Sequence, residues 1–177
     1  MRILIVGAGS VGRSIARELL EKQHRITLID RKVTPERRQV LPGAEWVSGD
    51  AGELETLREA AIDEADVLVA ATGDDKVNLV VSLLAKTEFL VPRTVARVSH
   101  PDNEWMFGPM WGVDAFSPSQ RKLLTTENDR STIHRTIILI WFTWILLTTP
   151  LSPPGCWPRP RNSSIQGAFT PPGWMPS

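Results

Sequence analysis

The chain has 177 residues, of which 42 % are hydrophobic and 23 % are charged, and its 20 Lys and Arg residues balance its 20 Asp and Glu residues. The length suggests one domain, or one domain plus an appendage. The composition is that of an ordinary soluble globular protein, and it argues against collagen-like, disulfide-stabilised and strongly disordered classes. A single cysteine, Cys156, excludes an intrachain disulfide and a cysteine-rich zinc site. The apolar start of the chain meets Gly7 too early to form the hydrophobic region of a signal peptide, so we expect a cytosolic protein.

Charge and proline content divide the chain after residue 117. Residues 1–117 carry 14 basic and 18 acidic side chains, whereas residues 118–177 carry 6 basic and 2 acidic ones. Nine of the 14 prolines lie from Pro118 onward. We therefore predict one folded domain over residues 1–117 and an irregular Pro- and Trp-rich tail over residues 118–177 that does not form a domain.

The tail contains one dense apolar run, Ile137–Leu147. With its threonine flanks the run reaches 14 residues, whereas a helix needs about 20 residues to span a bilayer. A buried or interfacial helix, or an aggregation-prone segment, is therefore favoured over a membrane span. The composition of the tail also resembles that of a shifted reading frame or a degenerate end.

Within residues 1–117, short apolar runs rich in β-branched residues are typical of buried parallel strands. They recur at roughly even intervals, with segments of helical periodicity between them, and this alternation predicts βαβ units. The predicted fold is therefore an α/β domain with a doubly wound, mostly parallel, Rossmann-like sheet. The predicted strands are Arg2–Val6, Arg25–Ile29, Glu45–Val47, Val67–Ala71, Thr94–Val98 and Val113–Phe116.

Helices are predicted where apolar residues recur with a spacing of three and four. Either Asp74 or Asp75 is suited to cap the third of them, because an aspartate oxygen accepts a hydrogen bond from a free N–H of the first helical turn. The predicted helices are Ser10–Lys22, Glu53–Ala61, Asp74–Lys86 and a short one at Asp102–Phe107.

A G-x-G-x-x-G motif at residues 7–12 follows the first strand and opens the first helix, which is the context that a dinucleotide-binding loop requires. Gly7 permits the tight turn, Gly9 lets the backbone approach a pyrophosphate, and Gly12 lets the helix pack closely on the strand. The start of the helix offers N–H groups and a positive dipole end to the phosphates. The alternative is a tight strand-to-helix turn that binds nothing.

Asp30 follows the second strand, 18 residues after Gly12. A carboxylate there accepts hydrogen bonds from the ribose hydroxyls and repels a 2′-phosphate, so it favours NAD over NADP. Arg31 and Lys32 come next and would soften that preference. The alternative is that Asp30 is an ordinary residue of a strand-end turn.

Other strand ends meet at the same edge of a parallel sheet and are predicted to border the ligand. Asp50 would reach the adenine side, Thr72 and Gly73 the pyrophosphate or the second nucleoside, and Arg97 a phosphate. The alternatives are that Gly73 only starts a helix and that Arg97 is a solvated charge.

No catalytic constellation is evident, and we predict no catalytic residue and no metal site. The chain lacks tyrosine, which excludes the Tyr–Lys pair of short-chain dehydrogenases. His100 is the one histidine predicted near the ligand edge, so the alternative function is that of a small NAD-dependent oxidoreductase that uses His100. A third possibility is a truncated product without function.

The segments Arg2–Gly9, Gly49–Ala51, Ala70–Asp75 and Ala96–Val98, together with Asp30, Ala65–Val67 and Asn78, resemble the nucleotide-binding RCK (KTN, TrkA N-terminal) domain of Trk-type potassium-uptake regulatory proteins. The resemblance implies a non-catalytic subunit that binds NAD or NADH, or in some members ATP or ADP. It also implies a homodimer or higher ring at the inner face of the membrane, beneath a potassium transporter or channel, with no nucleic-acid partner. The implied cofactor contacts are Gly7, Ala8, Gly9, Ser10, Val11, Asp30, Asp50, Ala51, Thr72, Gly73 and Arg97. The glycine motif adds Gly12 to this predicted set.

Two features depart from the family. Ser10 stands where some ATP-gated relatives carry an arginine, which favours NAD(H) over ATP. Residues 118–177 lack the pattern of the crossover helix and second lobe with which family members continue. We therefore expect a ligand-sensing regulatory module in which oxidised and reduced cofactor favour different arrangements of a dimer.

Overall fold

The computed structural model describes residues 1–117, and the predicted tail with its apolar run lies outside the described residues. The described part forms one six-stranded sheet in which every pairing is parallel, in the order β3-β2-β1-β4-β5-β6. Ile3 on the central strand is in register with Ile26 on one side and Val67 on the other. The strands are β1 Arg2–Val6, β2 Arg25–Asp30, β3 Glu45–Ser48, β4 Val67–Ala70, β5 Arg93–Arg97 and β6 Ala115–Ser117.

Four α-helices and three short 3-10 segments connect the strands. The first helix forms because its buried residues, Ile15, Ala16 and Leu19, share one face at helical spacing. The third predicted helix begins after Asp74, whose side chain accepts a hydrogen bond from the N–H of Lys76 at 2.9 Å. The helices are α1 Ser10–Glu21, α2 Pro35–Val40, α3 Leu54–Glu59 and α4 Asp75–Thr87, and the 3-10 segments are Ile62–Glu64, Pro101–Met106 and Pro109–Trp111.

The core lies on both faces of the sheet. Successive strand residues point to opposite faces, so Ile3 and Ile5 pack with α1 whereas Leu4 and Val6 pack with α3 and α4. Strands that are covered on both faces are apolar throughout, and all four residues of β4 are buried. The predicted α/β class with a Rossmann-like parallel sheet is confirmed.

Two elements differ from their predictions. The helix α2 was not predicted, because it has six residues and buries none of them, so no apolar stripe marks it. The predicted helix at Asp102–Phe107 is a 3-10 segment over Pro101–Met106, and Phe107 after it is buried in an extended conformation. Within residues 1–117, no helix has the length and hydropathy of a membrane span.

Candidate nucleotide-binding cleft

A cleft of about 450 Å³ lies at the carboxyl edge of the sheet. It includes the ends of β1 and β4, where the strand order reverses, and such a reversal is the usual ligand site of an open parallel sheet. Arg31, Asp74 and Val77 also line the cleft. Ten of the twelve predicted contacts line it: Gly7, Gly9, Ser10, Val11, Asp30, Asp50, Ala51, Thr72, Gly73 and Arg97.

The other two predicted contacts, Ala8 and Gly12, lie behind the cleft wall. The side chain of Ala8 is fully buried, and its backbone carbonyl accepts a hydrogen bond from Arg13. A Cβ atom on Gly12 would overlap the carbonyl oxygen of Gly7, so α1 can pack on the loop only with glycine there. In the structure these two residues shape the loop and do not line the cleft.

Gly7 makes the turn out of β1. Its φ of +96° lies in a region that other residues rarely adopt. A Cβ atom on Gly7 would lie 2.9 Å from the Cα atom of Thr72, and the N–H of Gly7 donates a hydrogen bond to the carbonyl of Ile29 at 2.8 Å. The loop therefore packs directly against the segment that follows β4, and only glycine fits.

Gly9 precedes α1 and faces open space. A Cβ atom built on it has no heavy atom within 4 Å. No side chain among the described residues caps α1, and its first turn carries no acidic residue. Free N–H groups and the positive end of the helix dipole are thus left at the cleft, an arrangement that suits an anion.

Asp30 is fixed in place by the glycine loop. Its Oδ2 atom accepts a hydrogen bond from the N–H of Ala8 at 2.8 Å, and its Oδ1 atom accepts one from the N–H of Lys32 at 2.9 Å. The guanidinium of Arg37 on α2 lies 3.4 Å from Oδ1. Sequence reasoning missed Arg37, because the helix that carries it has no apolar stripe. The carboxylate is held at the end of β2 with one face toward the cleft.

Arg31 and Asp50 face each other beyond Asp30. The Nε atom of Arg31 lies 3.8 Å from Oδ2 of Asp50, and the two side chains are 64 % and 44 % exposed, respectively. Oδ1 of Asp50 accepts a hydrogen bond from the N–H of Gly52 at 2.9 Å. An exposed pair of this kind contributes little to stability, so both charges remain available to a ligand.

Arg97 ends β5 and brings a partly buried cation to the cleft. Its Nη1 atom lies 3.4 Å from the carbonyl oxygen of Thr72. Burial lowers the pKa of Arg97, and the nearby carboxylate of Asp75 raises it. That carboxylate accepts hydrogen bonds from the N–H groups of Ser99 and His100. Within residues 1–117, the charge of Arg97 therefore has no carboxylate in ion-pair contact.

His100 does not line the cleft. Its imidazole is 62 % exposed and lies 3.5 Å from a carboxylate oxygen of Asp102. The histidine that the oxidoreductase alternative requires is therefore not brought to the candidate cofactor site.

Val77, which lines the cleft, was missed by sequence reasoning, although an apolar residue on the first turn of a helix at the ligand edge is a usable signal.

Comparison with known proteins supports the predicted resemblance. The TrkA-N domain model matches residues 3–117. The Trk system potassium uptake protein TrkA of Mycobacterium tuberculosis is 50 % identical over 142 residues, which are 80 % of this chain and 64 % of that protein. The chain thus spans slightly less than two thirds of this relative, and the match continues beyond residue 117.

Solved structures share the fold. The TrkA-N domain of inner membrane protein ybaL from Escherichia coli has a TM-score of 0.61 and 21 % identity, over 69 % of this chain and 90 % of that one. GsuK bound to ADP has a TM-score of 0.59 and 26 % identity, over 82 % of this chain and 34 % of that one. The GsuK channel bound to NAD has a TM-score of 0.57 and 21 % identity, over 69 % of this chain and 22 % of that one. Because the family model covers well over half of the chain, and a solved TrkA-N domain shares its fold, this protein belongs to the TrkA-N domain family.

Proposed function

We propose that this protein is a cytoplasmic, NAD(H)-binding regulatory subunit of a potassium uptake system, in which nucleotide binding controls the gating of a membrane transporter or channel. One observation carries the proposal: the carboxylate of Asp30 is hydrogen-bonded to the N–H of Ala8 in the glycine loop. A phosphate-binding loop and a ribose-binding carboxylate are thereby fixed relative to each other, as a dinucleotide requires.

The residues of the cleft suit the parts of such a nucleotide. The uncapped start of α1, with Gly9 open before it, would hold the pyrophosphate. Asp30 would accept hydrogen bonds from the ribose hydroxyls, and Arg97 would pair with a phosphate. GsuK has been solved with ADP bound, and NAD contains the adenosine and both phosphates of ADP, so both ligands would use the same loop and carboxylate. ATP or ADP is therefore the second candidate ligand.

The partner is proposed from the relatives. The similar protein of M. tuberculosis is a Trk system potassium uptake protein, so we assign this chain to a membrane potassium transporter or channel, at the inner face of the membrane. A homodimer or a larger ring would transmit the effect of the nucleotide, because a ligand shifts a conformational equilibrium only when it binds two arrangements with different affinity. The proposed role is regulatory and involves no catalysis.

Calorimetric titration of the full chain with NAD, NADH, NADP and ADP tests this function. We expect NAD to bind about ten- to a hundredfold more tightly than NADP, because a 2′-phosphate at Asp30 would meet a like charge and lose charge-assisted hydrogen bonds. Asp30→Ala should reduce this ratio, since Arg31 and Lys32 would then face the phosphate without a competing carboxylate. All titrations require the same ionic strength, because salt screens the additional phosphate.

The matched control is Asp63→Ala, which removes the same charge from an exposed position before β4, at the opposite edge of the sheet. It should leave the NAD to NADP ratio unchanged. Asp30→Ala also leaves the buried N–H of Ala8 without its acceptor, so the melting temperature of each variant is measured alongside. Equal affinities for NAD and NADP in the unmutated protein, or a ratio that Asp30→Ala does not alter, would contradict the proposal.

A further inference from the structure

Asn78 joins the ends of two strands beneath the cleft. It lies one turn into α4 and is fully buried. Its Oδ1 atom accepts a hydrogen bond from the N–H of Thr72 at 3.0 Å and lies 2.6 Å from the Thr72 hydroxyl. Its Nδ2 atom donates to the carbonyl of Arg97 at 2.8 Å and to that of Thr72 at 3.3 Å.

The partners fix the orientation of this amide. The oxygen faces an N–H and a hydroxyl, whereas the nitrogen faces two carbonyls, so a flipped amide would lose the contacts with the N–H and with both carbonyls and could keep only the one with the hydroxyl. Asparagine is a poor residue inside a helix, and a buried amide is tolerated only when its polar atoms are paired. The side chain of Asn78 therefore contributes hydrogen bonds to Thr72 and Arg97 that an apolar residue packed at this position could not supply.

One partner of Asn78, Thr72, lies beyond the end of β4, and the other, Arg97, is the last residue of β5 and is paired only with Ser117 of β6. The ladder between β4 and β5 ends with the pair Ala70 and Ala96, and Thr72 lies just beyond it. Gly73 is exposed, and a Cβ atom built on it would meet no atom within 4 Å. Side-chain packing at Gly73 thus does not fix this wall of the cleft, and the hydrogen bonds of Thr72 take on that role.

We propose that Asn78 is a positioning residue that holds Thr72 and the end of β5 in the arrangement that binds the nucleotide. The inference rests on the proposed function, since it assigns Asn78 to the same cleft. By fixing the Thr72 backbone and the carbonyl of Arg97 before a ligand arrives, the amide removes an ordering cost from binding. Asn78 itself does not line the cleft and acts through these two residues.

Asn78→Asp tests the donor half of the amide. An ionised carboxylate has no hydrogen to donate and would place an oxygen against the carbonyls of Thr72 and Arg97, whereas a protonated one can donate again. Burial next to carbonyl oxygens raises the pKa of a carboxyl group. We expect NAD to bind about tenfold more weakly at pH about 8, the loss of roughly one hydrogen bond, and to recover as the pH falls to about 6.

Two further variants separate positioning from stability. Asn78→Ser loses the hydrogen bonds of the amide to Thr72 and Arg97 but adds no titrating group, so its weaker NAD binding should not recover at the lower pH. Thr94→Val removes a buried hydroxyl that donates to Gly112 at the far end of β5, so it should lower the melting temperature and leave NAD affinity unchanged. The charged or titratable groups around Asn78 (Asp74, Asp75, Arg97 and His100) are present in every variant and cancel in the comparison.

A readout without nucleotide keeps the inference distinct from the proposed function. The amide hydrogen of Thr72 is hydrogen-bonded to Asn78, so it should exchange faster in Asn78→Ser than in the unmutated chain. In Thr94→Val its exchange rate should be that of the unmutated chain. If the unmutated chain fails to bind NAD but this exchange difference appears, the role of Asn78 in holding Thr72 is supported and the proposed function is contradicted. If Asn78→Asp and Asn78→Ser bind NAD as the unmutated chain does, or Thr72 exchange is unaffected, the inference is wrong.

Discussion

At the scale of single residues, the three glycines of the loop have three different structural roles. Gly7 adopts a positive φ, Gly12 leaves room for a carbonyl oxygen, and Gly9 faces open space. These roles were predictable, because they follow from the position of the motif between a strand and a helix. The bond between Asp30 and Ala8 was not, because it joins residues 22 positions apart and only the folded sheet brings them together.

The glycine at position 9 gives a sharp test of the cleft. Gly9→Val should abolish NAD binding and lower the melting temperature only slightly, because a Cβ atom at this position has no heavy atom within 4 Å, whereas the branched side chain would fill the space that a pyrophosphate would need. Calorimetric titration and thermal unfolding measure the two effects.

Two other glycines provide the controls. Gly108→Val adds the same side chain in open space, on a loop outside the cleft, and should change neither quantity. Gly12→Ala should lower the melting temperature, since its Cβ would overlap the carbonyl of Gly7. Unchanged NAD affinity in Gly9→Val would show that the pyrophosphate does not lie at the start of α1.

At the scale of elements, the sequence predicts those that carry an apolar pattern and misses the helix that carries none. Each predicted strand, and each of the three longer helices that were predicted, carries an apolar pattern that matches the period of its secondary structure. The helix α2 has no buried residue, so its only sequence signal is Thr34 followed by Pro35, a cap and a first-turn proline. The segment at 101–106 starts with a proline in the same way but forms 3-10 turns, while the backbone before it bonds to Asp75.

The cap of α2 should control local rather than global stability. The hydroxyl of Thr34 accepts a hydrogen bond from the N–H of Arg37 at 3.4 Å. Thr34→Ala should cost the helix about 1 kcal/mol, and amide hydrogens of residues 37–41 should exchange faster. The melting temperature should hardly move, because a segment without buried residues opens on its own. Thr34→Ser, which keeps the hydroxyl, is the control; equal exchange in both variants would contradict a capping role.

At the scale of the whole molecule, the described residues form a core on both faces of the sheet. Among residues 1–117, the last buried apolar residue is Val113. The division at residue 117 nevertheless stays a prediction, since the match to the M. tuberculosis relative continues past it. Composition alone drew that boundary, and composition does not report on contacts.

Deletion of residues 118–177 tests the boundary. We expect the remaining 117 residues to unfold in one cooperative thermal transition, because a chain of this length can bury a sufficient core. The measurement compares the unfolding curves and near-ultraviolet circular dichroism of the shortened and full chains. A shortened chain that is insoluble, or that loses its fixed side-chain signals, would mean that the tail packs against the domain.

The strand order also determines when the cleft can come into existence during synthesis. Residues 1–48 supply β1, β2 and β3, and β1 waits with an open edge until β4 pairs with it, Ile3 against Val67 across 64 positions of the chain. Such long-range pairing is slow, and an open edge invites wrong partners. Gly7 meets Thr72 only after this pairing. The pairing with the largest sequence separation in the described sheet and the first moment at which both walls of the cleft exist are therefore the same event on the growing chain.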